Sequence, residues 1–164
     1  MSNELIISAT QNGCRIALLK DKQLVEFHED EGSNKFIVGD IYLGTVKKVV
    51  QGLNAAFIDI GYEKDAFLHY LDLGPKFNSL QKFTKLVKSR KITGGKVEKF
   101  HVEKDIDKHG KIGQQLSKGQ LIPVQVVKEP ISTKGPRLSC ELSIAGRYLV
   151  LVPVGNGVNV SKRI

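Results

Sequence analysis

Cysteine is scarce in this 164-residue sequence, and its two copies, Cys14 and Cys140, stand far apart. Neither belongs to a Cys-x-x-Cys motif, so the spacing indicates neither a zinc site nor a disulfide framework. Each cysteine lies in an apolar, strand-like run, which favours a role as a small buried hydrophobic residue.

Long apolar runs are also lacking. No uninterrupted run is long enough to cross a bilayer, and no charged-then-apolar signal opens the chain. The hydrophobic fraction of 41% and the charged fraction of 26% are ordinary for a globular protein. These features predict a cytoplasmic protein of one or two small domains.

A catalytic constellation is missing as well. The four histidines, at positions 28, 69, 101 and 109, have no nearby nucleophile pattern and no metal-ligand spacing. Asp59 and Asp65 invite a metal interpretation, but Asp59 alternates with Ile58 and Ile60 and Asp65 stands at a turn. Structural roles are favoured for both carboxylates, and we predict no catalytic residue and no metal site in this chain.

The net charge of +8 is concentrated in one segment, residues 74–118. This segment holds twelve Lys and Arg residues against four acidic residues, so the rest of the chain is neutral. A basic segment suits a polyanionic partner, because Lys and Arg near phosphates release condensed counterions. The alternative is a solvated, mobile insertion whose lysines serve solubility, and the sequence does not decide between the two.

Short runs suited to half-buried strands alternate with turn signals along most of the chain. Strands are predicted at 4–10, 14–20 and 23–28, and then at about 40–50, 54–60, 65–70, 121–128 and 137–142. The last five predict a five-stranded barrel, and Gly44 and Gly52 suit points where its strands bend or turn.

Three other segments carry weaker signals. Apolar residues at near-helical spacing predict a helix within 77–91, and a loop or mobile hairpin is expected over 91–118. On that basis the barrel is expected to survive replacement of 74–118 by a short turn. The continuous apolar run 148–154 predicts a strand covered on both faces.

Phe57 and Phe67 stand ten positions apart on two predicted strands joined by a tight turn at 61–64. Side by side on one sheet face, two such rings would form a stacking platform for unpaired bases, since every base offers a π-face. The alternative is that both are core residues, as aromatic side chains in strands usually are.

Three groups of motifs follow one another in order. The first group consists of Ile41-Tyr42-Leu43-Gly44-Thr45-Val46, Ala55-Ala56-Phe57-Ile58-Asp59-Ile60-Gly61 and Ala66-Phe67-Leu68. The second group consists of Gly119-Gln120, Lys134-Gly135 and Leu138-Ser139. The third group consists of the segment 143–153 followed by 160–164. Together they strongly resemble the start of the bacterial ribonuclease E/G family. Apart from 74–118, nearly the whole chain is covered.

The resemblance implies a mainly β fold. Residues 36–142 would form an oligonucleotide-binding (OB-fold) barrel of the S-one type, with the basic insertion 74–118. The flanks, 1–35 and 143–164, would be parts of an incomplete ribonuclease-H-like subdomain. The chain would then be the amino-terminal fragment of a longer protein.

The resemblance also implies single-stranded RNA binding, in an enzyme of RNA processing or decay. Phe57, Phe67 and Lys134 match the family's RNA contacts, and Gly146 and Val150 match residues of a pocket that senses a 5′-monophosphate. Family hydrolysis uses magnesium held by carboxylates of a later domain, and later cysteines link subunits through zinc. This fragment is therefore expected to need no cofactor and to be inactive, and an oligomer is possible for the full-length protein. The rival hypothesis is a protein-interaction or assembly module, in which the basic insertion contacts a partner.

Overall fold

A computed structural model describes residues 2–10, 13–30, 36–91, 100–153 and 157–162. The chain divides into two compact units, Met1–Lys35 and Phe36–Ile164. Among the described residues, no helix is both long enough and apolar enough to span a membrane.

The first unit is a three-stranded antiparallel meander of β1 (Asn3–Thr10), β2 (Gly13–Lys20) and β3 (Gln23–Asp30). These are the strands that the sequence predicts. Asp21 and Lys22, which join β2 to β3, both have positive φ, at 49° and 65°. That conformation matches the right-handed twist of a hairpin, and it explains why two residues suffice for the turn.

The second unit is built around a closed barrel with the strand order β4-β5-β6-β8-β7. The strands are β4 (Ile41–Val50), β5 (Ala55–Asp59), β6 (Ala66–His69), β7 (Leu121–Lys128) and β8 (Arg137–Ser139). All neighbours are antiparallel except β6 and β8, which run parallel at the point where the barrel closes. The predicted five-stranded barrel is therefore confirmed.

The interior of the barrel is filled by the side chains that point inward from its strands. Every second residue points inward, and these side chains form one core that includes Val46, Ile58, Leu68, Val124 and Leu138. Gly44 faces this core, where an added Cβ would lie 2.5 Å from Cγ2 of Ile58. A larger residue there would collide with the core, which accounts for the glycine at this position.

The basic insertion contributes to the same core, which corrects the expectation that the barrel is independent of it. The insertion contains α1 (Phe77–Lys88), as predicted, and a short helix α2 (Ile112–Gln115), which was not predicted. Phe77 and Leu80 from α1, Ile112 from α2 and Leu116 after it are all buried with the barrel side chains. Residues 92–99 of the predicted hairpin lie outside the described residues.

Asn54 ties α2 to the barrel from the turn before β5. Its Nδ2 donates to the carbonyl oxygen of Gly110 at 3.1 Å, and its Oδ1 accepts from the backbone N–H of Ile112 at 2.7 Å. Asn54 adopts a left-handed conformation with φ 46°, which asparagine tolerates better than most residues. The segment before α2 is therefore held in place, and its described part forms a loop, which agrees with the first of the two predicted alternatives.

A second sheet follows the barrel, with the order β11-β10-β9. Its strands are β9 (Ile144–Ala145), β10 (Leu149–Val152) and β11 (Gly157–Val160). Leu149 and Leu151 of β10 are 48% and 42% exposed, so the prediction of a strand covered on both faces is wrong here. The assignment of this sheet and of the meander to a ribonuclease-H-like subdomain stays a prediction.

The two cysteines differ in their surroundings. Cys140 is buried beside the barrel core, and burial, assisted by the negative charge of Asp72, raises the pKa of its thiol. The prediction of a buried hydrophobic role is thus confirmed for Cys140. Cys14 is only partly buried.

Candidate nucleic-acid interface

Phe57 and Phe67 lie directly opposite each other on β5 and β6. Their ring centroids are 5.9 Å apart, with the ring planes at 70° to each other. The flanking residues Ala56, Ile58 and Leu68 are buried in the barrel, so strand alternation turns both rings to the outer face. Both rings are partly exposed and neither belongs to the core, which rules out the core alternative.

The two rings form the centre of a row that crosses all five barrel strands. Lys48 on β4 lies opposite Phe57, and Arg137 on β8 lies opposite Phe67. Lys128 on β7 lies opposite Arg137 in turn. Because directly opposite residues share one face of a sheet, two aromatic side chains are flanked on both sides by basic ones.

An open cleft of about 790 Å³ lies beside the rings. It is bordered by strand residues, by the turn between β5 and β6 and by the loop between β7 and β8. Its lining consists of Phe57, Lys64, Asp65, Phe67, Lys128, Glu129, Ile131, Thr133, Lys134, Gly135 and Arg137. The three predicted RNA contacts, Phe57, Phe67 and Lys134, are therefore brought together in one cleft.

Backbone geometry positions Lys134. The loop between β7 and β8 doubles back on itself, with Ile131 and Lys134 exchanging two backbone hydrogen bonds of 3.2 and 2.9 Å. Lys64 donates to the carbonyl oxygen of Ser132 at 2.7 Å and fastens the tip of the loop. Gly135 packs so closely on the backbone of Asp65 that an added Cβ would overlap the Asp65 carbonyl oxygen.

We expect Gly135→Ala to displace this loop and to weaken RNA binding. The loss in unfolding free energy should be about 1 kcal/mol, the low end of the range for overpacking, because an exposed loop can shift. Thermal unfolding and RNA titration of the same sample measure the two effects. Gly52→Ala is the control, since an added Cβ there meets nothing within 4 Å. Unchanged affinity in Gly135→Ala would contradict a positioning role.

The charged groups around the cleft divide into paired and unpaired ones. Arg137 forms a two-pronged ion pair with Asp72, with distances of 2.9 and 3.1 Å to Oδ2. Lys128 and Lys134 are exposed, and no carboxylate of the described residues pairs with either. These two ammonium groups can therefore meet an anion without first breaking an ion pair.

Asp59 and Asp65 are engaged in turn and ion-pair contacts. Asp59 accepts the backbone N–H of Gly61 at 2.9 Å, and Asp65 pairs with Lys47 at 2.7 Å. The hydrogen bond to Asp65 raises the pKa of Lys47, although desolvation opposes the shift. Among the residues the structure describes, no three His, Cys, Asp or Glu side chains are grouped so as to hold a metal ion.

Gly146 and Val150 lie together at the β9–β10 hairpin. Val150 pairs with Ala145, and the backbone N–H of Gly146 donates to the Leu149 carbonyl oxygen at 2.7 Å. Gly146 is exposed and Val150 is partly buried, and neither lines the cleft beside the rings. Their role in a 5′-phosphate pocket stays a prediction.

Three basic residues of the row, Lys48, Lys128 and Arg137, were not identified as site residues from the sequence. Arg137 precedes the buried Leu138, so strand alternation alone could have assigned it to the outer face. Lys128 follows a bulge between Val126 and Lys128, which breaks the alternation. Lys48 follows a bulge between Val46 and Lys48, which breaks the alternation. Only the register identifies its place in the row.

Comparison with known proteins adds an independent line of evidence. The S1 RNA binding domain family matches residues 35–141. Ribonuclease G of Escherichia coli strain K12 is 36% identical over 164 residues, which are 100% of this chain and 30% of that protein. Ribonuclease E of Synechocystis is 39% identical over 160 residues, which are 97% of this chain and 19% of that protein. The chain thus spans less than a third of the length of these relatives.

Proposed function

The chain belongs to the S1 RNA binding domain family, and on this premise we propose that its barrel binds single-stranded RNA in the cleft beside Phe57 and Phe67. The predicted resemblance to the ribonuclease E/G family is confirmed, since the similarity to both enzymes extends over nearly the whole chain. The RNA-binding function and the family thus agree with the sequence-based prediction.

The proposal rests on the pair of partly exposed rings that share one cleft with the unpaired Lys128 and Lys134. A base stacked on an aromatic side chain contributes about 1–3 kcal/mol, whatever its identity. Only an unpaired strand can present its base faces in this way, because the bases of a duplex are already stacked. Lys128 and Lys134 then lie where they can meet the phosphates of the same strand.

The assembly-module alternative is not favoured. It treats the rings as core and the insertion as a free basic surface. The rings are outside the core, and two of the insertion's lysines are paired within it, Lys76 with Asp105 and Lys82 with Glu103. Part of the insertion's positive charge is therefore neutralised by its own carboxylates.

We further propose that the barrel serves a ribonuclease E/G-type enzyme of RNA processing or decay, acting in the cytoplasm. This proposal is supported by the names of the relatives. Magnesium, zinc and oligomer formation are expectations for the longer family proteins. The described residues offer no grouped ligands for either metal, so no catalytic step is assigned to them.

Titration of the isotope-labelled chain with a short unstructured oligouridylate tests the proposal by chemical-shift mapping. The amide shifts are expected to cluster at Phe57, Phe67 and Lys134. A duplex RNA of the same length is the control and should leave these amides nearly unmoved. Shifts that spare all three residues would refute the proposed site.

A further inference from the structure

A second basic surface adjoins the aromatic pair on the opposite side of Lys48 from the cleft. It is an open, largely polar hollow of about 510 Å³ between β4 and the segment after α2. Strand β4 and the turn that follows it supply one wall, and the insertion supplies the other: Lys47, Lys48, Val49 and Gln51 face Gly113, Leu116, Ser117 and Lys118.

The walls of the hollow are fixed by backbone contacts. The N–H of Gly119 donates to the carbonyl oxygen of Val46 at 2.8 Å, and the N–H of Val46 donates to that of Gln120 at 2.9 Å. Ile112 and Leu116 anchor the same segment in the barrel core. The shape of the hollow is thus fixed by the fold, and Lys118 is held next to β4.

Two of its three ammonium groups are unpaired. Lys47 is engaged by Asp65, whereas Lys48 and Lys118 are exposed and have no ion pair with any described carboxylate. Lys76 and Lys82, by contrast, are paired elsewhere in the insertion. Of the basic residues of 74–118 that the structure describes, Lys118 is the one that lines this hollow.

The hollow and the aromatic pair are continuous through Lys48, which lies directly opposite Phe57. Opposite residues of an antiparallel pair have Cβ atoms roughly 5 Å apart. A phosphate next to a base on Phe57 is therefore within reach of the long Lys48 side chain. The phosphate that follows it would enter the hollow.

We propose that this hollow holds the phosphodiester backbone of the RNA strand beyond the base stacked on Phe57, with Lys48 and Lys118 as the phosphate contacts. The strand then runs across β4 onto the basic insertion, which extends the binding face beyond the barrel strands. This inference rests on the proposed RNA-binding function and assigns part of the insertion to it.

The test compares two double variants of equal charge in binding a twelve-nucleotide oligouridylate over a range of salt concentrations. In Lys48→Gln/Lys118→Gln, the slope of log affinity against log salt should fall by about 1.4, since each lost contact to a single strand removes about 0.7. The control is Lys85→Gln/Lys88→Gln, on α1, whose residues line neither the cleft nor the hollow. The control slope should stay as in the unmodified chain.

Equal slopes in the two double variants would overturn the inference, provided that both melt at the temperature of the unmodified chain. Phe57→Ala, measured in parallel, separates this failure from that of the proposed function. If Phe57→Ala weakens binding while the lysine variants are equal, only the hollow is wrong. If Phe57→Ala also binds normally, the proposed function fails. The amide chemical shifts of Gly113 and Gly119 provide a second measurement, because they should change when the twelve-nucleotide RNA enters the hollow. Unchanged shifts would count against RNA binding in the hollow.

Discussion

Phe77→Ala is expected to lower the free energy of unfolding by roughly 3–5 kcal/mol, the range for a fully buried phenylalanine. Phe77 begins α1 and is only 1% exposed, packed in the cluster that also contains barrel side chains. Alanine would leave a cavity that a closed barrel can fill only in part, which is why the effect is large. Urea denaturation followed by circular dichroism measures it.

Phe83→Ala on the same helix is the matched control. Phe83 is partly exposed and has an edge contact with Phe100, at 5.9 Å between ring centroids, outside the core. Phe83→Ala should lower the free energy of unfolding by clearly less than Phe77→Ala does. If the two variants lose equal stability, the insertion does not share the barrel core. For the same reason, replacing 74–118 by a short turn should destabilise the barrel, because it removes the four core side chains from Phe77, Leu80, Ile112 and Leu116.

Phe57→Ala and Phe67→Ala should each weaken binding of single-stranded RNA by about 1–3 kcal/mol, the usual effect of losing one stacked base. Stability should change much less, because both rings lie outside the core and are partly exposed. Fluorescence anisotropy with a labelled oligouridylate measures the affinity, and thermal melting of the same samples measures the stability.

Phe27→Ala controls for the general loss of an aromatic side chain. Phe27 is 51% exposed on β3 and belongs to the meander, not to the barrel. Its replacement should leave the affinity unchanged. Unfolding of both barrel variants, or normal RNA binding by both, would refute the aromatic platform.

The barrel was predictable because its signals are local. Alternation in β5 and β6 and the turn between them depend on residues close in sequence, and the observed strands Ala55–Asp59 and Ala66–His69 lie within the predicted 54–60 and 65–70. The same alternation predicted that Phe57 and Phe67 share a face. That these rings contact RNA stays a prediction.

The docking of the insertion could not be predicted in this way. Ile112 and Leu116 stand among glycines and lysines without a sustained period, so their burial leaves no local pattern. It depends on Asn54, which is distant in sequence and caps the segment through its side-chain amide. Likewise, the bulge next to Lys48 is a property of strand pairing, so the row of basic and aromatic side chains emerges only from the register.

The parallel contact between β6 and β8 has a kinetic consequence. The barrel closes where Phe67 meets Arg137, with the Phe67 N–H donating to the Pro136 carbonyl oxygen at 2.8 Å, and the whole insertion lies between these strands in the chain. The entropy lost on closing such a loop grows with its length, so a docked insertion shortens the loop that remains to be closed. Docking of the insertion thus offsets part of the entropic cost that its own length adds to barrel closure, and the β6–β8 seam lies beside one of the two rings of the proposed platform.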